Sequence, residues 1–100
     1  MKKLAVVAHR NDNVATTVKD LSKGQEVIVD VDGREVKVIL LNDVPFGHKF
    51  AIKDIQEGGD VVKYGEVIGR ATKTIKAGEY VHVHNIESVR GRGDWEVDKK

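Results

Sequence analysis

One hundred residues are enough for one domain with a single core and too few to wall off a closed catalytic cleft unaided. Seventeen lysines and arginines against 16 acidic residues leave a net charge of +1, which removes the electrostatic case for nucleic acid or an anionic membrane as partner. The absence of cysteine excludes disulfides and thiolate metal sites.

Valine and isoleucine supply 24 residues, leucine only 4 and aromatics 5. Stiff β-branched side chains fit a pleated surface better than a helix, so the composition predicts a mostly β chain with a thin core. Behind the basic start, Met1-Lys2-Lys3, the apolar run from Leu4 to Ala8 stops at His9-Arg10. That is shorter than a signal-peptide core of roughly 7–15 residues or a spanning helix of about 20, and a cytoplasmic location is the expectation.

Leu4 to Ala8 reads as a first strand. His9-Arg10-Asn11-Asp12-Asn13 then offers several capping oxygens, and Val14, Val18 and Leu21 follow at helical spacing, which predicts one short helix near residues 13–21 that ends before Gly24. From Glu26 to Leu41 the pattern is a hairpin about Asp32-Gly33, because glycine accepts the positive backbone angle of a two-residue turn. Centring there pairs Val31 with Arg34, Val29 with Val36 and Val27 with Val38, with the valines on one face.

Pro45 and Gly47 mark a turn before His48. Further short strands are predicted over Lys49–Ile52, Asp60–Lys63, Glu66–Thr72 and Glu79–Asn85. A weak repeat runs through these pieces: Leu21, Ile55 and Ile75 are each followed by a glycine three residues on and a valine three beyond that. It reads as a reused corner, in which an aliphatic anchor enters the core, glycine reverses the chain and a strand begins. The organisation expected is a domain over residues 1–87 and a charged Gly/Arg tail over 88–100 that carries the only tryptophan, mobile or ordered by a partner.

Chemistry concentrates between Gly47-His48-Lys49 and His82-Val83-His84-Asn85. On a strand that buries Val81 and Val83, His82 and His84 share the opposite face, with backbones about 6–7 Å apart, close enough to converge on one metal ion or one carboxylate. The competing reading is two solvated histidines on an exposed strand. His48 is either a proton acceptor brought forward by the flexible glycine or a rim residue beside Phe50 and Ile52. Lys49 either neutralises a sugar-acid carboxylate or is solvated. Asn11, Asp12 and Asn13 either meet substrate hydroxyls or simply cap the predicted helix. Arg92-Gly93-Asp94 matches an adhesion tripeptide by coincidence, and no phosphate-cradling loop, serine elbow or metal-protease helix is present.

Taken in order, Asp12-Asn13-Val14-Ala15, Gly47-His48-Lys49, Asp54-Ile55, Lys63-Tyr64-Gly65, Ile68-Gly69-Arg70-Ala71 and Gly78-Glu79 leading to His82-Val83-His84-Asn85 resemble the N-terminal SAF-type domain of altronate and galactarate dehydratases. The alpha subunit of sulfolactate sulfo-lyase is similar, and the resemblance spans about residues 4 to 94. It implies a β-clip fold, a compact SAF-like body of short bent strands. It also implies metal-assisted β-elimination on a sugar acid to give a 2-keto-3-deoxy acid, with iron or manganese as the metal and a large dehydratase subunit as the partner that completes the site.

Under that resemblance His48, His82 and His84 have the types for base, acid or ligand, with His82 and His84 as metal ligands. Lys49, Asn85, Asn11, Asp12 and Asn13 are then candidates for substrate contacts. Two alternatives stand beside it: a sulfolactate sulfo-lyase small subunit, and a non-catalytic SAF-type module that binds carbohydrate or protein.

Overall fold

The computed structural model describes residues 3–88, so the expected tail lies outside the described residues except for Ser88. The β-branched segments form strands β1 (Ala5–Val6), β2 (Val14–Thr17), β3 (Glu26–Val31), β4 (Arg34–Ile39), β5 (Lys49–Ala51), β6 (Asp60–Lys63), β7 (Glu66–Ala71), β8 (Tyr80–Val81) and β9 (Ile86–Ser88). They pair antiparallel in three small sheets, in the orders β1-β2-β5-β8, β3-β4 and β6-β7-β9. This is the mostly β chain that composition predicts, in the compact body of short strands that the resemblance implies. Among the described residues no helix is long and apolar enough to cross a membrane.

The helix predicted near residues 13–21 does not form; its centre is β2. Val14, Thr16 and Thr17 lose side-chain freedom in a helix, and β2 instead has a partner on each edge, β1 and β5. Its burial is nearly complete, with Val14, Ala15 and Thr17 all at 2 % exposure or less. Tertiary pairing thus overrides the apolar spacing of Val14, Val18 and Leu21. The first strand is also shorter than the Leu4–Ala8 expected.

The hairpin has the predicted register, with Val27 opposite Val38, Val29 opposite Val36 and Val31 opposite Arg34. Asp32 and Gly33 both take positive φ, 53° and 85°, the combination that lets the turn follow the strand twist. Val27, Val29 and Val38 are buried as one face of that ribbon.

The reused corner occurs four times, since Val44-Pro45-Phe46-Gly47 joins the three copies visible as aliphatic-x-x-Gly. The corners pair in twos, Leu21 bridging Val44 and Ile55 bridging Ile75. Each pairing is locked by the aspartate that precedes an anchor. Asp20 Oδ1 accepts from the Phe46 N–H at 2.8 Å, Asp43 Oδ1 from Lys23 at 2.9 Å, and Asp54 Oδ1 from Ala77 at 2.9 Å. Two similar halves result, each with its own apolar cluster. Strands β2 and β5 form the wall between them: side chains alternate in direction, so Ala15 and Phe50 enter one cluster while Val14 and Ala51 enter the other.

Candidate functional site

Strand β5 starts where the Pro45-Phe46-Gly47 corner ends, and Thr17 fixes that corner. Its hydroxyl donates to the Pro45 carbonyl at 2.8 Å, its carbonyl accepts from the Gly47 N–H at 3.1 Å, and its own N–H donates to the His48 carbonyl at 2.9 Å. Strand β8 lies antiparallel to β5, with Lys49 opposite Val81 and Phe50 opposite Tyr80. One step further along the pair, His48 meets His82, and their ring centroids are 5.0 Å apart.

Tyr80 gathers the remaining rings. It stacks on His82 at 5.5 Å and 9°, lies tilted against His84 at 5.5 Å, and places its Oη 2.7 Å from Nδ1 of His48. Tyr80 is not among the candidate residues that the sequence motifs single out. Its position two residues before His82 was the available signal, because that spacing puts both rings on one face.

The strand predicted over Glu79–Asn85 stops at Val81, and His82 to Asn85 form a turn. The burial of Val83 assumed in that reading is reversed: Val83 is 80 % exposed. Asn85 closes the turn from inside. Its Oδ1 accepts from the His82 N–H at 3.0 Å, its Nδ2 donates to the Tyr80 carbonyl at 2.8 Å, and the His82 carbonyl accepts from the Asn85 and Ile86 N–H groups at 3.0 and 3.1 Å. Asn85 is 2 % exposed, so its carboxamide shapes the histidine turn and does not face solvent. His82 and His84 therefore converge through the turn and the Tyr80 ring, without the strand alternation expected of them.

Lys49, the next residue of β5, alternates to the side of Ala51 and Val81; it is half-buried there, and burial, with the nearby Lys63 ammonium second, pulls its pKa below 10.5. Partial burial, then the positive charges of His48, Lys49 and His84, pull the His82 pKa below 6.5. Both shifts favour the neutral form.

Asn11, Asp12 and Asn13 are not part of the cluster. Asn13 immediately precedes β2, whereas His48 meets Thr17 at its other end, about 13 Å of chain away. Asp12 is 1 % exposed and its carboxylate accepts from the N–H groups of His9 at 3.0 Å, Tyr64 at 3.1 Å and Gly65 at 2.8 Å. Asn13 acts as an extra strand partner for β6: Nδ2 donates to the Asp60 carbonyl at 2.9 Å and Oδ1 accepts from Val62 at 2.8 Å. Asn11 is exposed, and its N–H donates to Nδ1 of His9 at 3.1 Å.

The iron or manganese that the resemblance implies finds no complete ligand set among the described residues. Among the described residues no group of three or more His, Cys, Asp or Glu side chains converges to hold a metal ion. Nδ1 of His48 is already engaged by the Tyr80 hydroxyl.

The small all-β domain thus gathers three imidazoles and a phenol around the β5–β8 pair and the turn that follows it. Residues 3–89 match the altronate/galactarate dehydratase SAF domain, and the chain belongs to that family. It is 49 % identical over 77 residues to the altronate dehydratase of Escherichia coli, and 38 % identical over 78 residues to that organism's galactarate dehydratase (L-threo-forming). These alignments cover 77 % and 76 % of this chain but only 15 % and 14 % of the two enzymes. With the (2R)-sulfolactate sulfo-lyase subunit alpha of Chromohalobacter salexigens the identity is 36 % over 89 residues, covering 84 % of this chain and 94 % of that subunit.

Proposed function

We propose that this domain supplies the proton-transfer face of a hydro-lyase that dehydrates a sugar acid, and that a larger lyase polypeptide completes the site. The observation that carries the reading is the pair His48 and His82, facing each other at 5.0 Å beside the Tyr80 phenol. The relatives that share the domain are two dehydratases and a sulfo-lyase subunit, which supports a lyase reading.

The hydrogen next to a carboxylate is weakly acidic, so its removal requires a base at hydrogen-bond distance and positive charge near the developing enediolate. His82, held neutral at physiological pH, is suited to take that proton. Lys49, one residue on from His48, adds positive charge that is felt at His82. His48, whose free nitrogen is Nε2, is suited to give a proton to the departing hydroxyl. One C–H and one C–O bond break, water leaves, and the resulting enol rearranges to a 2-keto-3-deoxy acid.

This face is open. Phe46, two residues before His48, is 65 % exposed, and Val83, between His82 and His84, is 80 % exposed. Apolar side chains in these positions suit a protein partner that excludes water from the reaction. Such a partner corresponds to the part of the dehydratases that this chain does not span.

The sulfo-lyase reading uses the same residues with sulfite as the leaving group, and the 94 % coverage of the alpha subunit favours it as the second candidate. Reconstitution of the chain with a lyase partner and assay of both substrate classes separates them. Release of 2-keto-3-deoxy acid supports the dehydratase, sulfite from sulfolactate supports the alternative, and neither product in the presence of a bound partner refutes the lyase role.

A further inference from the structure

We propose that Tyr80 is the positioning residue of the imidazole cluster: its hydroxyl commits Nδ1 of His48, leaving Nε2 as the one nitrogen of that ring free to exchange a proton, while its ring holds His82 alongside. The catalytic consequence rests on the lyase reading above; the ring arrangement itself does not.

Three observations converge on this residue. First, the Oη to Nδ1 separation is 2.7 Å, a short hydrogen bond between two groups that each have one donor-or-acceptor choice to make. If the phenol donates, Nε2 carries the hydrogen; if Nδ1 donates, Nε2 carries the lone pair. In both cases Nδ1 is spent, and the ring works through Nε2.

Second, Tyr80 is held at its base as firmly as at its tip. Its N–H donates to Asn42 Oδ1 at 2.9 Å, its carbonyl accepts from Asn85 Nδ2 at 2.8 Å, and its side chain packs against the apolar cluster that contains Phe50. A ring fixed in this way can impose its orientation on its neighbours. Third, all three imidazoles lie 5.5–5.6 Å from its centroid, and the stack on His82 is within 9° of parallel. A rim tyrosine that served only to cover the core would need no hydroxyl aimed at a histidine nitrogen.

Tyr80→Phe removes the hydroxyl and retains the ring. Nitrogen-15 spectra of the histidine side chains in the full chain read the effect without any partner or substrate. The wild-type protein should show His48 as one dominant tautomer, and Tyr80→Phe should move its two ring-nitrogen signals toward the averaged positions of a freely exchanging imidazole, with exposed His84 unchanged. Identical His48 signals in the two proteins overturn the proposal.

In the reconstituted enzyme Tyr80→Phe should lower kcat at least about tenfold with KM nearly unchanged, part of the roughly 10²–10⁴ that a positioned acid or base contributes. Unchanged kcat in an active enzyme overturns the catalytic half. Altered spectra together with no turnover by any wild-type assembly refute the lyase reading, while the positioning of His48 by Tyr80 stands.

Discussion

His48 and His82 come from opposite ends of the second half of the domain and face each other across β5 and β8, with ring centroids 5.0 Å apart. The contact depends on two turns, one locked by Thr17 and the other by Asn85. Both locking residues are buried and both bond through their side chains, so the chemistry of the face is set by groups that solvent does not reach.

Asn85→Ala should therefore act first on structure. It leaves the His82 N–H and the Tyr80 carbonyl without their partner, at a cost of about 2 kcal/mol. Urea unfolding of the isolated chain measures the loss, and weakened contact between the His82 and Tyr80 rings should accompany it. Unchanged stability would show that water replaces the carboxamide and that the turn does not depend on it.

Asp12→Ala offers a contrast, because it removes an acceptor shared by three N–H groups far from the imidazoles. It should destabilise the chain by about 3 kcal/mol while His48 and His82 keep their spacing. Activity in a reconstituted enzyme should then follow the folded fraction. A selective rise in KM at full folding would instead place Asp12 on the substrate.

Two glycines with similar backbone angles separate strain from collision. Gly24, at φ 89°, has open space where a Cβ would sit, so Gly24→Ala should cost about 1–2 kcal/mol, the conformational penalty alone. Gly78, at φ 95°, sits against the Ile39 carbonyl, and a Cβ there would collide with that backbone oxygen. Gly78→Ala should cost more than about 3 kcal/mol, since neither segment can yield without breaking the Leu41 N–H to Gly78 carbonyl bond of 2.8 Å. Equal losses in the two variants would refute the close approach.

The His82 shift has a sign that can be measured. A folded pKa below 6.5 means that the unfolded chain binds more protons as the pH falls through that value, so acid destabilises the fold through this residue and stability rises with pH across the window below 6.5. His82→Gln should flatten that part of the stability curve. The imidazole signals of His82 in the folded chain should titrate below 6.5; a midpoint above it would contradict the crowding by His48, Lys49 and His84.

How far these features were legible in the sequence follows from the range of the forces involved. The β3–β4 hairpin was readable to the residue because Asp32-Gly33 and the valine alternation are local and agree. The gathering of His48 with His82 was not readable from the motifs, which left His48 open between a proton acceptor and a rim residue; the pairing of β5 with β8 brings the two rings together. The strand at Val14–Thr17 was not, because its two partners are distant in sequence and the local spacing imitates a helix. The turn at His82 was hidden by an alternation that continues through Val83; only the Asn85 carboxamide, bonding back three residues, ends the strand. The fourth corner escaped because Phe50 stands where the other copies carry a valine, although Val44 and Gly47 keep the aliphatic-x-x-Gly spacing.

The most direct test of the shared reaction centre is turnover by the chain assembled with its lyase partner, comparing wild type with His48→Gln and His82→Gln after each assembly has been shown intact by size-exclusion chromatography. Loss of at least about 100-fold in kcat for both variants, at unchanged assembly, is the predicted result. Full turnover by either variant would contradict it.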